Sequence, residues 1–145
     1  MPILTLQFAA GGPVIDVRIG VSIPREQAMV KAGLPVPPLV AARALIDTGA
    51  SCTCVDPSII TALQLTPKGN VAIYTPSTGN APHTCTQYDV RVVLVHPNMS
   101  FALGALPVIA SRLDHQGIQA LIGRDILSQC LFVYEGKSAV FSIAF

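Results

Sequence analysis

The sequence has no tryptophan, and only 12% of its 145 residues are charged. Its nine basic side chains are scattered, with no cluster or stripe, and the net charge is +1. Nothing in that pattern would track a phosphate backbone, so nucleic acid is not an expected partner. No unbroken apolar run approaches the roughly 18 residues that span a bilayer, and no membrane segment is expected. The opening stretch Met1-Pro2-Ile3-Leu4-Thr5-Leu6-Gln7-Phe8 lacks the basic and long apolar regions of a signal peptide. There is no Gly-x-Ser-x-Gly elbow, no HExxH and no phosphate loop. With no secretion signal, Cys52, Cys54, Cys85 and Cys130 are expected as reduced, mostly buried thiols in a cytoplasm.

What is abundant is apolar. Hydrophobic residues make up 51% of the chain, enough to fill the core of one compact domain over residues 1–145. The mean hydropathy of +0.57 is high for a soluble domain. With a bilayer span excluded, burial against a second chain is the better explanation, since obligate dimer interfaces are the more apolar kind.

The periodicity is that of strands. Ile3 to Phe8 alternates, and Val14 to Ile23 places Ile15, Val17, Ile19, Val21 and Ile23 on one face with Asp16 and Arg18 on the other. Pro24 to Pro38 interrupts; Arg25 to Ala32 can form a short helix ended by Gly33 within this surface insertion. Leu39 to Ile46 is an apolar strand. After a short strand at Cys52 to Val55, Asp56-Pro57 reads as an N-cap followed by proline in the first turn of a brief helix through Leu63. Asn70 to Thr75 and His83 to Val95 flank a hairpin tip, Pro76 to Pro82. Met99 to Ile109 is strand-like, Asp114 to Gly117 a turn, Ala120 to Gly123 a short buried strand, and Arg124 to Cys130 a short helix. A hairpin, Leu131 to Tyr134 and Ser138 to Phe145, closes the chain. The expected fold is all-β: a small, mainly antiparallel β domain with one or two short helices.

The chemically informative segment is Ala44-Leu45-Ile46-Asp47-Thr48-Gly49-Ala50-Ser51. An apolar strand that ends in an acid delivers a carboxylate to the floor of a dry cleft. Gly49 lets the backbone turn sharply, and Thr48 can bond to backbone groups and stiffen the loop. On its own Asp-Thr-Gly is also an ordinary turn sequence. Two further features bear on it: the hairpin at Tyr74 to Pro82, suited to cover a cleft, and Leu121-Ile122-Gly123-Arg124 opening a helix.

In this order and spacing the three features resemble the retropepsin family of aspartic proteases, from about Val14 to the C-terminus. The resemblance implies a small, closed, antiparallel β-barrel-like retropepsin fold with Asp47, Thr48 and Gly49 as catalytic motif. It also implies an extended peptide held by Ala50, Ser51, the flap residues Tyr74, Ser77, Thr78 and Gly79, and Leu121, Ile122 and Gly123. Two departures are plain. Ser51 stands where viral retropepsins usually carry an acid that pairs with the arginine matching Arg124, and the hairpin tip is less glycine-rich than a viral flap.

Aspartic proteolysis needs two adjacent carboxylates, and this chain has one Asp-Thr-Gly. Asp16, Asp56, Asp114 and Asp125 read instead as strand-face, capping, turn and helix-start acids. The second aspartate is therefore expected from a second copy of the chain across a two-fold axis, with no cofactor. By resemblance, the strands Pro2 to Phe8 and Ser138 to Phe145 would build part of that interface. Two other readings remain open: a retropepsin fold used for peptide binding or dimerisation, and a zinc site where Cys52-x-Cys54 meets His83-x-Cys85, at spacings shorter than usual for structural zinc.

Overall fold

The computed structural model describes residues 1–74 and 79–145. Among these residues ten strands fall into two sheets. The larger contains β2 (Val14–Val21), β3 (Val40–Ile46), β4 (Cys54–Val55), β5 (Gly69–Ile73), β6 (His83–Val95), β7 (Ser100–Ala110) and β8 (Ala120–Ile122). Its order is β2-β3-β8-β4-β7-β6-β5, and β2 also pairs with β6, so six strands close into a barrel and β5 extends from β6 as the second arm of a hairpin. The pairing is mainly antiparallel; β3 with β8 and β4 with β7 run parallel.

The alternation read from β2 is realised: Ile15, Val17, Ile19 and Val21 are at most 2% exposed, while Asp16 and Arg18 face solvent. Val90, Val92 and Leu94 of β6 fill the same core. Ile23 departs from the expected face. Ser22 accepts a hydrogen bond from the Arg25 amide at 3.3 Å and starts α1 (Ile23–Lys31), with Pro24 in its first turn, so the strand stops at Val21. Pro107 is tolerated inside β7 because β4 is only two residues long and pairs Ile109 and Ala110, leaving β7 a single neighbour, β6, at Pro107.

The segment between β2 and β3 touches the barrel at two glycines, Gly104 beneath Ile23 at the start of α1 and Gly20 beside Leu39 just before β3. A Cβ on Gly20 would come within 2.4 Å of Leu39 Cδ2, and one on Gly104 within 2.8 Å of Ile23 Cδ1. Glu26 adds an ion pair to Arg91 at 2.9 Å, and Arg25 donates to Thr66 Oγ1 and the Gln64 carbonyl. Helix α2 (Pro57–Ala62) forms where expected; α3 (Arg124–Leu127) starts at the expected residue but stops three short of Cys130, and Asp114–Gln116 is a single 3₁₀ turn.

The smaller sheet is β1 (Ile3–Gln7), β10 (Val140–Ala144) and β9 (Leu131–Glu135), in that order. The two terminal strands thus pair with each other inside one chain, Ile3 opposite Ala144 through Gln7 opposite Val140. Strand β10 is hydrogen-bonded on both sides, so the free edges of this sheet are β1 and β9. Phe141 and Ile143 are fully buried beneath it, while Ile3, Leu131 and Val133 remain 58%, 58% and 49% exposed on its other face.

Candidate active site

Strand β3 ends at Ile46, and the next amide, Asp47 N, donates to the Ile122 carbonyl at 2.9 Å. That bond continues the parallel β3–β8 ladder by one residue and fixes where the carboxylate begins. The chain then turns tightly: Ala50 N donates to the Asp47 carbonyl at 3.2 Å and Gly49 N to Asp47 Oδ1 at 2.9 Å. A Cβ on Gly49 would sit 3.2 Å from that same oxygen, so glycine lets the amide reach the carboxylate without crowding it.

Helix α3 secures the loop. Arg124 N donates to the Ala50 carbonyl and Arg124 Nη1 to the Thr48 carbonyl, both at 2.9 Å. The arginine whose expected acidic partner is replaced by Ser51 therefore holds the Asp-Thr-Gly backbone directly. Asp125 takes hold of the segment that follows: its carboxylate accepts from Thr53 N at 2.8 Å, Thr53 Oγ1 at 2.7 Å and Ile126 N at 2.9 Å. Thr53 Oγ1 in turn accepts from Gly123 N at 3.2 Å. Gly123 is buried so tightly that a Cβ there would lie 2.6 Å from the backbone C and O of Cys52.

A cavity of about 480 Å³ opens beside this loop. Of the residues expected at the site, Asp47, Gly49, Ala50, Ser51, Tyr74 and Leu121 line it. Thr48 is exposed and contributes its carbonyl to Arg124 instead. Ile122 and Gly123 are buried beneath the loop and support it rather than face the cavity. Gly79 is exposed in the hairpin turn at a φ of +59° and does not line the cavity, and Ser77 and Thr78 lie outside the described residues.

The sequence reading did not place Ile73, Ile109 or Ser111 here, nor Cys52, Cys54, His83 and Cys85 as cleft residues. The signal for Ile73, His83 and Cys85 was the period of two on the hairpin arms. Ile109 and Ser111 arrive only through the β4–β7 contact. Burial first, then the charges of Cys52, Cys85, Asp125 and Asp47, push the Cys54 thiol up to about 12. Burial, followed by Asp125, also raises Cys52. Although the two Cys/His pairs reach one cavity, no group of three or more His, Cys, Asp or Glu among the described residues is arranged to hold a metal ion.

The closed six-stranded barrel, the hairpin rising from it and the acid at the end of β3 define a retropepsin-like fold. Among solved structures the chain is similar to a retropepsin-like aspartic protease from Rickettsia conorii, with a TM-score of 0.57 and 13% sequence identity. The match covers 98% of this chain and 90% of that one. No family model and no curated protein matches the sequence. No helix among the described residues is long and apolar enough to cross a membrane.

Proposed function

We propose that the chain is an aspartic endopeptidase that works as a homodimer, cleaving extended polypeptides with water held between Asp47 and the partner's Asp47. The observation that carries this reading is the Asp47 loop: one carboxylate at the mouth of a largely apolar cleft, its backbone braced from two sides by Ile122 and Arg124. The likeness of the fold to a retropepsin-like protease supports it.

Two carboxylates brought together share one proton, because both cannot ionise at close range; aspartic proteases are the standard example. The ionised member takes a proton from water as that water attacks the scissile carbonyl, and the protonated member polarises the carbonyl oxygen. The proton then passes to the leaving amine. Gly49, Ala50 and Ser51 lie along the peptide, with Tyr74 beside it. Ile73, Ile109 and Leu121 favour hydrophobic side chains next to the scissile bond.

The exposed Ile3, Leu131 and Val133 and the free edges of β1 and β9 are in keeping with a second copy docked against the terminal sheet. Four free cysteines suit a reducing compartment such as the cytoplasm. The test is cleavage of a mixed peptide library by wild type and Asp47→Asn, with mass read by sedimentation. A dimer that cuts, beside an Asp47→Asn dimer that does not, is the expected result. Equal cleavage by both, or a wild-type monomer without activity, overturns the reading; a peptide-binding role then accounts better for the fold.

A further inference from the structure

The cavity beside Asp47 is built from two kinds of wall. One is formed by Cys54, Ile109 and Leu121, and the register brings them together: Cys54 stands opposite Ile109 on one side and Leu121 on the other. Strand β3 delivers Asp47 beside this wall, because Ile46 pairs with Ile122. The other wall is the β5–β6 hairpin. Ile109 pairs with Gln87, and His83 lies four residues back along β6, about 13 Å at the rise of a strand. Period two puts Cys85 and His83 on one face, and the cross-strand partner of His83 is Ile73. All three line the cavity. Asp47 and His83 thus belong to different walls of one cleft.

Charge divides along the same line. Among the described residues that line the cavity, Asp47 is the one carboxylate and exposed His83 the one side chain able to carry a positive charge. The remaining titratable groups there are the Tyr74 phenol and the thiols of Cys52, Cys54 and Cys85. A glutamate or aspartate side chain of a bound peptide is repelled near Asp47 and meets an imidazole on the hairpin wall. A basic side chain finds no acid on that wall. Histidine gains its charge around pH 6.5 in general, and a carboxylic acid loses its proton around pH 4. Between those values an acidic side chain and an imidazole carry opposite charges.

We propose that His83 is a specificity-determining residue of the cleft, selecting peptides that place a glutamate or aspartate side chain against the hairpin wall in mild acid. The selected side chain is separate from the apolar ones held by Ile109 and Leu121 beside Asp47. The substrate class is then an extended peptide with apolar residues next to the scissile bond and one acid further along. The proposal rests on the reading of this cleft as a peptide site; it does not require that the peptide be cut.

The experiment captures a randomised peptide library on the full chain carrying Asp47→Asn, and sequences what is retained at about pH 5.5 and about pH 8. Acidic residues are expected at one position, enriched roughly fivefold at the lower pH, the upper end for an exposed ion pair, and not enriched at the higher. Adding His83→Gln removes the enrichment and keeps the apolar preference, whereas His83→Lys carries the enrichment to about pH 8. Wild-type kcat/KM on peptides that differ only by glutamate or glutamine at that position follows the same pattern. Acids no more frequent than in the input, acids equally enriched with His83→Gln, or a preference for basic residues overturns the proposal. So does a library from which nothing is retained. If wild type cuts nothing while retention shows the acid selected through His83, the protease reading fails by itself. If wild type cuts with no dependence on His83, the proposal fails and the protease reading stands.

Discussion

Removing the Asp125 carboxylate should loosen the Asp47 loop without touching Asp47. Asp125→Ala takes away the acceptor for three donors, Thr53 N, Thr53 Oγ1 and Ile126 N. Thr53 is 2% exposed and Ile126 fully buried, so the amides left behind have little water to turn to. A donor stranded in that way costs about 1–3 kcal/mol. Thr53 Oγ1 can rotate, and Asp125 itself is only partly buried, so the net loss should be about 3 kcal/mol. With a urea slope of roughly 2 kcal/mol per molar, the unfolding midpoint falls by about 1.5 M. Thr53→Val, nearly the same shape, removes the hydroxyl's bond to Asp125 and strands Gly123 N, for about 1.5 kcal/mol. Because the two residues share a network, the double variant should lose about 1 kcal/mol less than the sum of the singles. Asp125→Ala costing under about 0.5 kcal/mol, or strict additivity in the cycle, would refute the reasoning.

Asp56 offers a test with a definite pH dependence. It is 5% exposed, caps α2 through Ser58 N at 2.9 Å, and accepts from Leu113 N at 2.8 Å and Asp114 N at 3.1 Å. Burial alone would raise its carboxyl, but the Leu113, Ser58 and Asp114 donors outweigh burial and hold it below the ordinary 3.8. A lowered native value means the stabilisation is complete above 3.8 and is lost as pH falls through the native value. Asp56→Ala should therefore cost about 3 kcal/mol near neutral pH in urea titrations, and the gap to wild type should narrow in strong acid. Gly123→Ala drives a methyl against the Cys52 backbone, which cannot swing aside, for about 3 kcal/mol or non-folding. Gly33→Ala meets nothing and loses only about 1 kcal/mol from its φ of +70°; comparable thermal shifts for the two would refute the steric argument. Peptide cleavage should decline once both members of the Asp47 pair ionise, and a rate that keeps rising well above neutral pH would sink the shared-proton mechanism.

Elements whose side chains alternate by burial were readable residue by residue. The Ile15, Val17, Ile19 and Val21 face of β2 and the Val90, Val92 and Leu94 face of β6 follow from period two, because one side of each strand meets the core. The cap at Asp56 was legible from a carboxylate followed by proline. Its second task was not, since Leu113 and Asp114 are more than fifty residues away and meet it only once β4, β7 and β8 are assembled. The candidate site divides in the same way. Asp47, Gly49 and their neighbours announce themselves by local order, whereas the Thr53–Asp125 bonds and the arrival of Ile109 and Ser111 depend on which strands become adjacent. Extending an alternating pattern to the end of a strand fails for a simpler reason. At Ile23 a competing local signal, the Ser22 cap with Pro24, outweighs an alternation that would otherwise have continued.

The two glycines that meet the ends of the 22–39 segment have a consequence for how this chain can be rebuilt. Gly104 receives Ile23 at the start of α1 and Gly20 receives Leu39 just before β3, so the 22–39 segment meets a notch in the barrel at each of its ends. Segment and notches form a matched set. A chimaera that transplants residues 22–39 onto a barrel with alanine at those two places must swing the Leu39 and Ile23 side-chain ends aside to seat it, and a deletion that leaves the glycines behind exposes two gaps with nothing to fill them. Exchange between relatives is thus expected to cost least when the 22–39 segment and both glycines travel together.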